Sequence, residues 1–277
     1  MPFEFDIVMP LALFFITLAS MFLNQKTEGK LKSSLEERTF GVWDTVLLVV
    51  GMVVMVYLIV IVRTELALMV IFLFSYSMLL FLFTYVFSKN RWYLAAIPPV
   101  IFVFLYVLTR QTTIWDVYLI NVYAVIFAVM ITLYLQSLFT WKTSLVFVGL
   151  ITAVDVMLVL VTRWMVSAAN ATRSLQLPVL VTLPTFPPLE FPMGLGLGDF
   201  FFAGLLAIQA LKRFGKRFAL ASLAAMSISF FLFEAYMLTY RVTALPGTVM
   251  ILVGWIVLVS VKMLTDTMSK TKTSQGS

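Results

Sequence analysis

The sequence GLGLGDFFFAGLLAIQAL, residues 194–211, carries Asp199 near the start of an apolar run. A second apolar run, LVFVGLITAVDVMLVLV at residues 145–161, contains Asp155. Both runs are long enough to cross a bilayer as helices. An ionised carboxylate inside a membrane helix costs on the order of 3 kcal/mol on insertion scales, so such residues usually have a function. The two apolar runs therefore predict membrane helices, and the two aspartates inside them predict a shared chemical role.

The composition is that of an integral membrane protein. Of the 277 residues, 62% are hydrophobic and 12% charged, and the mean hydropathy is +1.05. The first apolar run lacks the basic segment and small-residue cleavage site of a signal peptide, so we expect a retained helix. Runs of about 20 apolar residues predict nine transmembrane helices. These are residues 5–23, 43–62, 66–87, 93–109, 114–139, 144–165, 194–211, 218–240 and 246–264.

The predicted fold is an all-α polytopic membrane protein whose helices form two groups separated by a linker. Six helices occupy residues 1–170, a Pro-rich linker follows at 171–193, and three helices occupy 194–264. The polar end of the chain, residues 265–277, is predicted to be disordered. Pro98 and Pro99 interrupt the fourth helix, where we expect a kink.

The distribution of basic residues predicts the orientation. If the N-terminus lies outside, 14 of the 19 Lys and Arg fall on the cytoplasmic side and five on the other. The positive-inside rule then puts the C-terminus in the cytoplasm. The net charge of +6 is explained by anionic lipid headgroups, and no nucleic-acid partner is needed.

The residue types that are missing narrow the chemistry. The chain has no histidine and no cysteine, which excludes zinc sites of the H-E-x-x-H type, Ser-His couples and thiolate nucleophiles. We therefore expect neither a metal nor a cofactor. The carboxylates that lie inside apolar runs are Asp155, Asp199 and Glu234. If the helices of Asp155 and Asp199 are antiparallel neighbours, the two carboxylates lie about 12 Å and about 7 to 8 Å from the outer membrane face, close enough in depth to form a dyad.

Glycines precede Asp199 at every second position, namely Gly194, Gly196 and Gly198. Glycine lets one backbone approach another helix or an extended substrate closely, and it weakens the start of a helix. A packing face of small residues is the alternative interpretation of this spacing. The aspartate directly after the last glycine favours a functional role.

The tetrapeptide Gly196-Leu197-Gly198-Asp199 resembles the G-x-G-D motif of the presenilin and signal peptide peptidase family of intramembrane aspartyl proteases. That family has one aspartate in its sixth helix, G-x-G-D in the seventh and a Pro-Ala-Leu element at the start of the ninth. Asp155 and Ala244-Leu245-Pro246 match the first and last of these in order. Val154 stands where the family usually has tyrosine, and Thr243 replaces the first proline of the last motif. With these two departures, the sequence resembles a distant homologue of the family from an archaeon or another microbe.

The resemblance implies a hydrolase, an intramembrane-cleaving aspartic endopeptidase with Asp155 and Asp199 as catalytic residues. The predicted orientation matches the signal peptide peptidase branch. Its partners would be membrane lipids and transmembrane-helix substrates or signal peptides whose N-terminus is cytoplasmic. In such a dyad, the ionised carboxylate takes a proton from water while the protonated one donates to the scissile carbonyl.

Other residues are candidates for substrate contact. The β-prone run Val179–Leu183 could pair with substrate as an added strand, or it forms part of a mobile loop. Pro246 limits helix formation, which would leave the backbone groups of Ala244 and Leu245 able to bond, unless it is an ordinary proline at a helix start. For Glu234 we expect a structural hydrogen bond in preference to a place on a water path.

Three alternative functions remain open from the sequence. A proton- or cation-coupled transporter would use the same carboxylates, although no internal repeat is visible. A prepilin-type aspartyl peptidase also uses G-x-G-D, but its first aspartate lies near an early helix. A helical scaffold in a larger complex would leave the two aspartates unexplained. The oligomeric state, including a homo-oligomer, is also open.

Overall fold

The computed structural model describes residues 3–34, 38–61, 64–88, 91–189 and 192–274. Helices dominate these ranges, and a single pair of short strands is present among them. The helices are α1 Val8–Ser34, α2 Val42–Ile61, α3 Glu65–Phe87, α4 Trp92–Ala95, α5 Ile97–Thr109, α6 Ile120–Gln136, α7 Trp141–Val156, α8 Trp164–Ser174, α9 Leu197–Phe214, α10 Lys216–Tyr240 and α11 Gly247–Ser274. The strands are β1 Leu180–Leu183 and β2 Met193–Gly196.

The prediction of a multi-pass helical membrane protein is confirmed. Within the described ranges, eight helical segments are long and apolar enough to cross a membrane. They coincide with eight of the nine predicted segments. The predicted segment 194–211 corresponds to α9, which is not among the eight because its 18 residues include Asp199, Lys212 and Arg213.

Helix α9 lies at the centre of the helix bundle. It packs against α1, α6, α7, α10 and α11, and every residue from Phe200 to Ala210 is buried. The Gly204 Cα faces the Thr132 side chain of α6 so closely that a methyl group there would overlap it. Because neighbouring helices surround α9, it needs less hydrophobic surface than a helix that faces lipid.

A polar cluster joins the ends of α1, α6 and α9. Lys212 Nζ lies 2.8 Å from Glu28 Oε1 and 3.1 Å from Gln136 Oε1. The Gln136 side-chain amide also donates a hydrogen bond to the Asn24 side-chain carbonyl. These contacts accompany the extension of α1 to Ser34, well past the predicted end at residue 23.

The fourth and fifth predicted segments are helical, but each of them departs from a single continuous α-helix at one place. The fourth divides at Ala96 into α4 and α5, and Pro98 and Pro99 lie in the first turn of α5, where a missing backbone N–H is harmless. The fifth begins with a wider, π-helical turn at Ile114–Leu119 before α6. The prolines thus start a helix and do not merely kink one.

The sixth predicted segment ends earlier than residue 165. Helix α7 continues as a π-helical turn, Met157–Val161, and the chain then reverses at Arg163, whose φ of 58° is left-handed. The separate helix α8 follows and occupies the first residues of the predicted linker. A left-handed residue cannot continue a right-handed helix, so Arg163 ends α7.

The seventh predicted segment is wrong at its start. Residues 193–196 form β2, which pairs antiparallel with β1, and helix α9 begins only at Leu197. Leu180 lies opposite Gly196 and Leu183 opposite Met193. The β-prone run is therefore a strand, and its partner is the glycine-rich segment that the hydropathy pattern assigned to a helix.

Aromatic side chains hold the linker between α8 and β1 against the helices. The Tyr76 hydroxyl donates to the Pro178 carbonyl at 3.3 Å, and the Tyr106 hydroxyl donates to the Leu175 carbonyl at 2.8 Å. The Trp115 indole N–H donates to the Gln176 carbonyl at 2.9 Å. This part of the linker is thus anchored, contrary to the alternative of a mobile loop.

The last helix is longer than predicted. Helix α11 continues through residues 265–274, to which the sequence analysis assigned disorder, because neither Gly nor Pro interrupts that stretch. Residues 275–277 lie outside the described residues, as do Arg63 and Lys89, which contributed to the predicted orientation.

Helices α10 and α11 approach each other closely at Gly254. A Cβ on this residue would overlap the Ala225 backbone carbonyl and lie 2.8 Å from the Ser229 Cβ. The Ser229 hydroxyl donates to the Met250 carbonyl at 2.7 Å one turn away. The glycine therefore permits the approach and the serine fixes it.

We expect Gly254→Ala to lower the free energy of unfolding by about 1 to 3 kcal/mol, the range for overpacking a tight contact. The overlapping atom belongs to a backbone carbonyl, which cannot move aside without shifting α10. The thermal unfolding midpoint of the purified protein in detergent measures the effect. Gly149→Ala is the matched control, since a Cβ there meets no atom within 4 Å. Equal midpoints for the two variants would contradict the close approach.

Candidate active site

Asp155 lies near the end of α7 and is 9% exposed. Its Oδ2 accepts two hydrogen bonds from Thr248, one from the backbone N–H at 3.2 Å and one from the hydroxyl at 2.7 Å. Thr248 is the second residue of α11. The first turn of α11 thus holds the Asp155 carboxylate from two directions.

Asp199 is the third residue of α9 and is half-buried. Its carboxylate accepts a hydrogen bond from the backbone N–H of Gly196, the residue that precedes the helix. This is half of a capping box, in which the side chain of the third helical residue satisfies the N–H of the capping residue. The strand-to-helix junction at residues 196–197 therefore sets the position of Asp199.

Gly247 brings α11 against Asp199. A Cβ built on Gly247 would lie 2.5 Å from Asp199 Oδ1 and 2.7 Å from Asp199 Cγ, so only glycine fits without displacing the carboxylate. Gly247 and Thr248 are consecutive, and each contacts one of the two aspartates. Because one helical turn contacts both side chains, Asp155 and Asp199 are close neighbours.

Both aspartates line one cavity of about 630 Å³, together with Thr248, Gly196 and Gly198. Seven residues of α2 between Leu47 and Val56 also line the cavity, and none of them is polar or charged. A volume of this size is typical of a ligand site. Thr248 lies in the first turn of α11 and lines the cavity, so the positive end of that helix dipole favours negative charge there.

The other predicted site residues fall in different places. Leu197 is buried in the core, at 7% exposure. Ala244 and Leu245 line a second cavity of about 740 Å³, and they lie in non-helical chain. The Pro246 carbonyl accepts the first hydrogen bonds of α11, from the N–H groups of Val249 and Met250. Pro246 therefore directly precedes α11, whereas the predicted ninth segment began at Pro246 itself.

The prediction of a structural hydrogen bond for Glu234 is wrong within the described part of the chain. The side chain is fully buried, yet neither carboxylate oxygen has a hydrogen-bond partner there. It lines the second cavity. The sequence shows that Glu234 lies within an apolar helix, but whether a hydrogen-bond donor lies near its carboxylate depends on how the helices pack.

The sequence analysis did not single out Gly247 or Thr248. The only signal was their position directly after Pro246, at a helix start, where a small residue and a hydroxyl are common. No group of three or more acidic side chains is close enough to hold a metal ion in the ranges that the structure describes.

The fold and the site define a multi-pass helical membrane protein with two aspartates at one cavity. No protein-family model matches the sequence, and no curated protein matches it significantly.

We expect Thr248→Val to lower the free energy of unfolding by about 1 to 3 kcal/mol, because the buried Asp155 carboxylate loses a hydroxyl donor. Thermal unfolding in detergent measures the change. Thr152→Val on α7 is the matched control, since the buried Thr152 hydroxyl has no hydrogen-bond partner among the described residues. That control should be neutral or stabilising. A Thr248 variant as stable as the control would argue against the bond to Asp155.

Proposed function

We propose that the protein is an intramembrane aspartyl protease of the presenilin and signal peptide peptidase type. It hydrolyses peptide bonds within transmembrane helices or signal peptides. The observation that carries the proposal is the contact of one helical turn, Gly247-Thr248, with both Asp155 and Asp199 at a single cavity. The G-x-G-D motif and the proline before α11 support the same proposal.

The proposed chemistry uses the two carboxylates and a water. Two neighbouring carboxylates away from bulk solvent share one proton, which makes the pair both an acid and a base. The ionised member removes a proton from water as the oxygen attacks the scissile carbonyl carbon, and the protonated member donates to the carbonyl oxygen. The resulting gem-diol collapses with cleavage of the C–N bond, and the amine leaves with a proton from the pair.

In the proposed topology α9 is a ninth membrane crossing, surrounded by the other helices. Asp155 and Asp199 then lie on the sixth and seventh crossings. The N-terminus lies outside and the C-terminus in the cytoplasm, on the basis of the charge distribution. This orientation favours substrates whose N-terminus is cytoplasmic.

The β-hairpin supports a mode of substrate binding different from the one that the sequence suggested. Strand β1 has β2 on one side, and on its other side the Thr182 N–H donates to the Asn121 side chain at 2.8 Å. The outer edge of β1 is thus occupied. We propose that the extended substrate instead adds to the outer edge of β2.

The register of the hairpin identifies the backbone groups at that edge. The Leu197 N–H donates to the Val179 carbonyl at 3.2 Å, so these two residues form a hydrogen-bonded pair. Hydrogen-bonded and non-hydrogen-bonded pairs alternate along an antiparallel ladder, which makes the pairs that contain Gly196 and Gly194 non-hydrogen-bonded. Gly194 and Gly196 therefore direct their backbone groups away from β1. The Gly196 N–H already donates to the Asp199 carboxylate, so Gly194 is the residue whose N–H and C=O can both pair with an added strand. Gly196 lines the cavity of the aspartates, and a strand added here would pass the two carboxylates.

We expect Asp155→Asn and Asp199→Asn each to reduce cleavage of a single-pass test substrate by at least about 100-fold, the lower range for general acid-base catalysis. Product formation by purified protein in liposomes measures the loss, with folding checked by thermal unfolding. Asp116→Asn is the matched control, because Asp116 is exposed and lines neither cavity. If the wild type cuts no substrate while both aspartates control ion flux, the transporter takes the place of the protease.

Gly247→Ala should reduce kcat by about 100-fold, the effect of displacing a catalytic group by about 1 Å. The added Cβ overlaps the end of the Asp199 side chain, which can rotate away, so the unfolding midpoint should change little. Gly149→Ala again serves as the control and should keep full activity. Normal activity of Gly247→Ala would show that the position of Asp199 does not matter for the reaction.

A further inference from the structure

A second cavity lies beside that of the two aspartates. It has a volume of about 740 Å³ and is lined by Glu4 near the N-terminus, the end of α10, the following loop at residues 241–245 and the start of β2. Gly194 lines this cavity, and Gly196 lines the first one. These residues are two apart on one strand, about 7 Å along it. An extended segment on the outer edge of β2 therefore passes both cavities.

Glu234 is the most unusual group in this cavity. Its side chain is 0% exposed and lies in the C-terminal part of α10, next to the buried residue Ala235. Neither carboxylate oxygen accepts a hydrogen bond from any described residue. Buried polar groups are almost always hydrogen-bonded, since leaving one without a partner is costly. None of the described residues supplies the missing donor, and a group bound in the cavity supplies it once the Glu234 side chain turns toward the cavity that this residue lines.

The charges around the cavity favour a cation. Glu4 lines it, and Asp6 is close enough to Glu234 to interact with it electrostatically. The Asp6 oxygens accept from the backbone N–H groups of Val8, Met9 and Phe186, so Asp6 adds negative charge without providing a donor. Arg241 is the cationic residue in the wall, and it makes no hydrogen bond to Glu234.

We propose that this cavity is a binding subsite for a basic side chain of the substrate, with Glu234 accepting from a Lys ammonium or Arg guanidinium. The inference rests on the proposed function and deepens it by naming a feature of the substrate. The basic residue lies within a few positions of the scissile bond, because Gly194 and Gly196 are close together on β2. A carboxylate in a low-dielectric cavity discriminates strongly between a cation and a neutral side chain of similar length.

Binding of fluorescent peptides to the Asp199→Asn variant in detergent tests the subsite without requiring cleavage. Each peptide of the series carries one lysine at a different position, from six residues before to six after the bond that wild type cuts, or norleucine at the same position. We expect lysine to bind at least about 10-fold more tightly than norleucine at one position on one side. Adding Glu234→Gln should abolish that preference while the norleucine peptide binds as before.

Two further variants provide a control and an independent test of the subsite. Glu65→Gln on the exposed start of α3 is the matched control and should retain the lysine preference. Arg241→Asn removes the cation from the wall, and asparagine tolerates the left-handed φ of 53° at that position. It should increase the lysine preference several-fold, which tests the subsite even if Glu234→Gln does not fold.

The outcomes separate the subsite from the proposed function. Cleavage of the series by wild type with no lysine preference at any position, or a preference that survives Glu234→Gln, would overturn the subsite alone. If wild type neither cuts nor binds any peptide, the protease function fails and the subsite fails with it. A preference lost in Glu234→Gln and enhanced in Arg241→Asn establishes the subsite.

Discussion

A helix that carries a carboxylate can lie at membrane depth only if other helices separate it from lipid. Helix α9 meets this constraint because α1, α6, α7, α10 and α11 surround it, and its residues from Phe200 to Ala210 are buried. Its glycine at 204 and the glycine at 254 of α11 allow the helices around it to pack closely. The arrangement of the bundle is therefore the one expected if α9, which carries Asp199 in its first turn, has to be enclosed by other helices.

The first turn of α11 connects this enclosed helix to α7. Gly247 leaves room for the Asp199 carboxylate, and Thr248 donates two hydrogen bonds to Asp155. The proline before the turn gives the helix a defined start, and the Thr248 N–H at the positive end of the helix dipole donates to Asp155. One short segment thus combines positioning, hydrogen bonding and electrostatics at the proposed catalytic pair.

In the proposed protease, strand β2 of the hairpin connects the two cavities, because Gly194 lines one and Gly196 lines the other. The β1 edge of the hairpin is closed by Asn121, which leaves the edge of β2 as the surface for an extended peptide. One end of that edge borders the paired aspartates, and the other borders the buried and unsatisfied Glu234. In this proposal, bond cleavage and selection of a basic residue occur on one continuous strand.

Hydropathy and the cost of buried charge are local properties, so the sequence alone was enough to predict the membrane fold and most of the helix positions, and to select Asp155 and Asp199 as candidate site residues. It did not determine that residues 193–196 form a strand, since pairing with β1 overrides their apolar composition. It also did not reveal the contacts of Gly247 and Thr248 or the missing partner of Glu234. These depend on which helices become neighbours, and only the tertiary structure decides that.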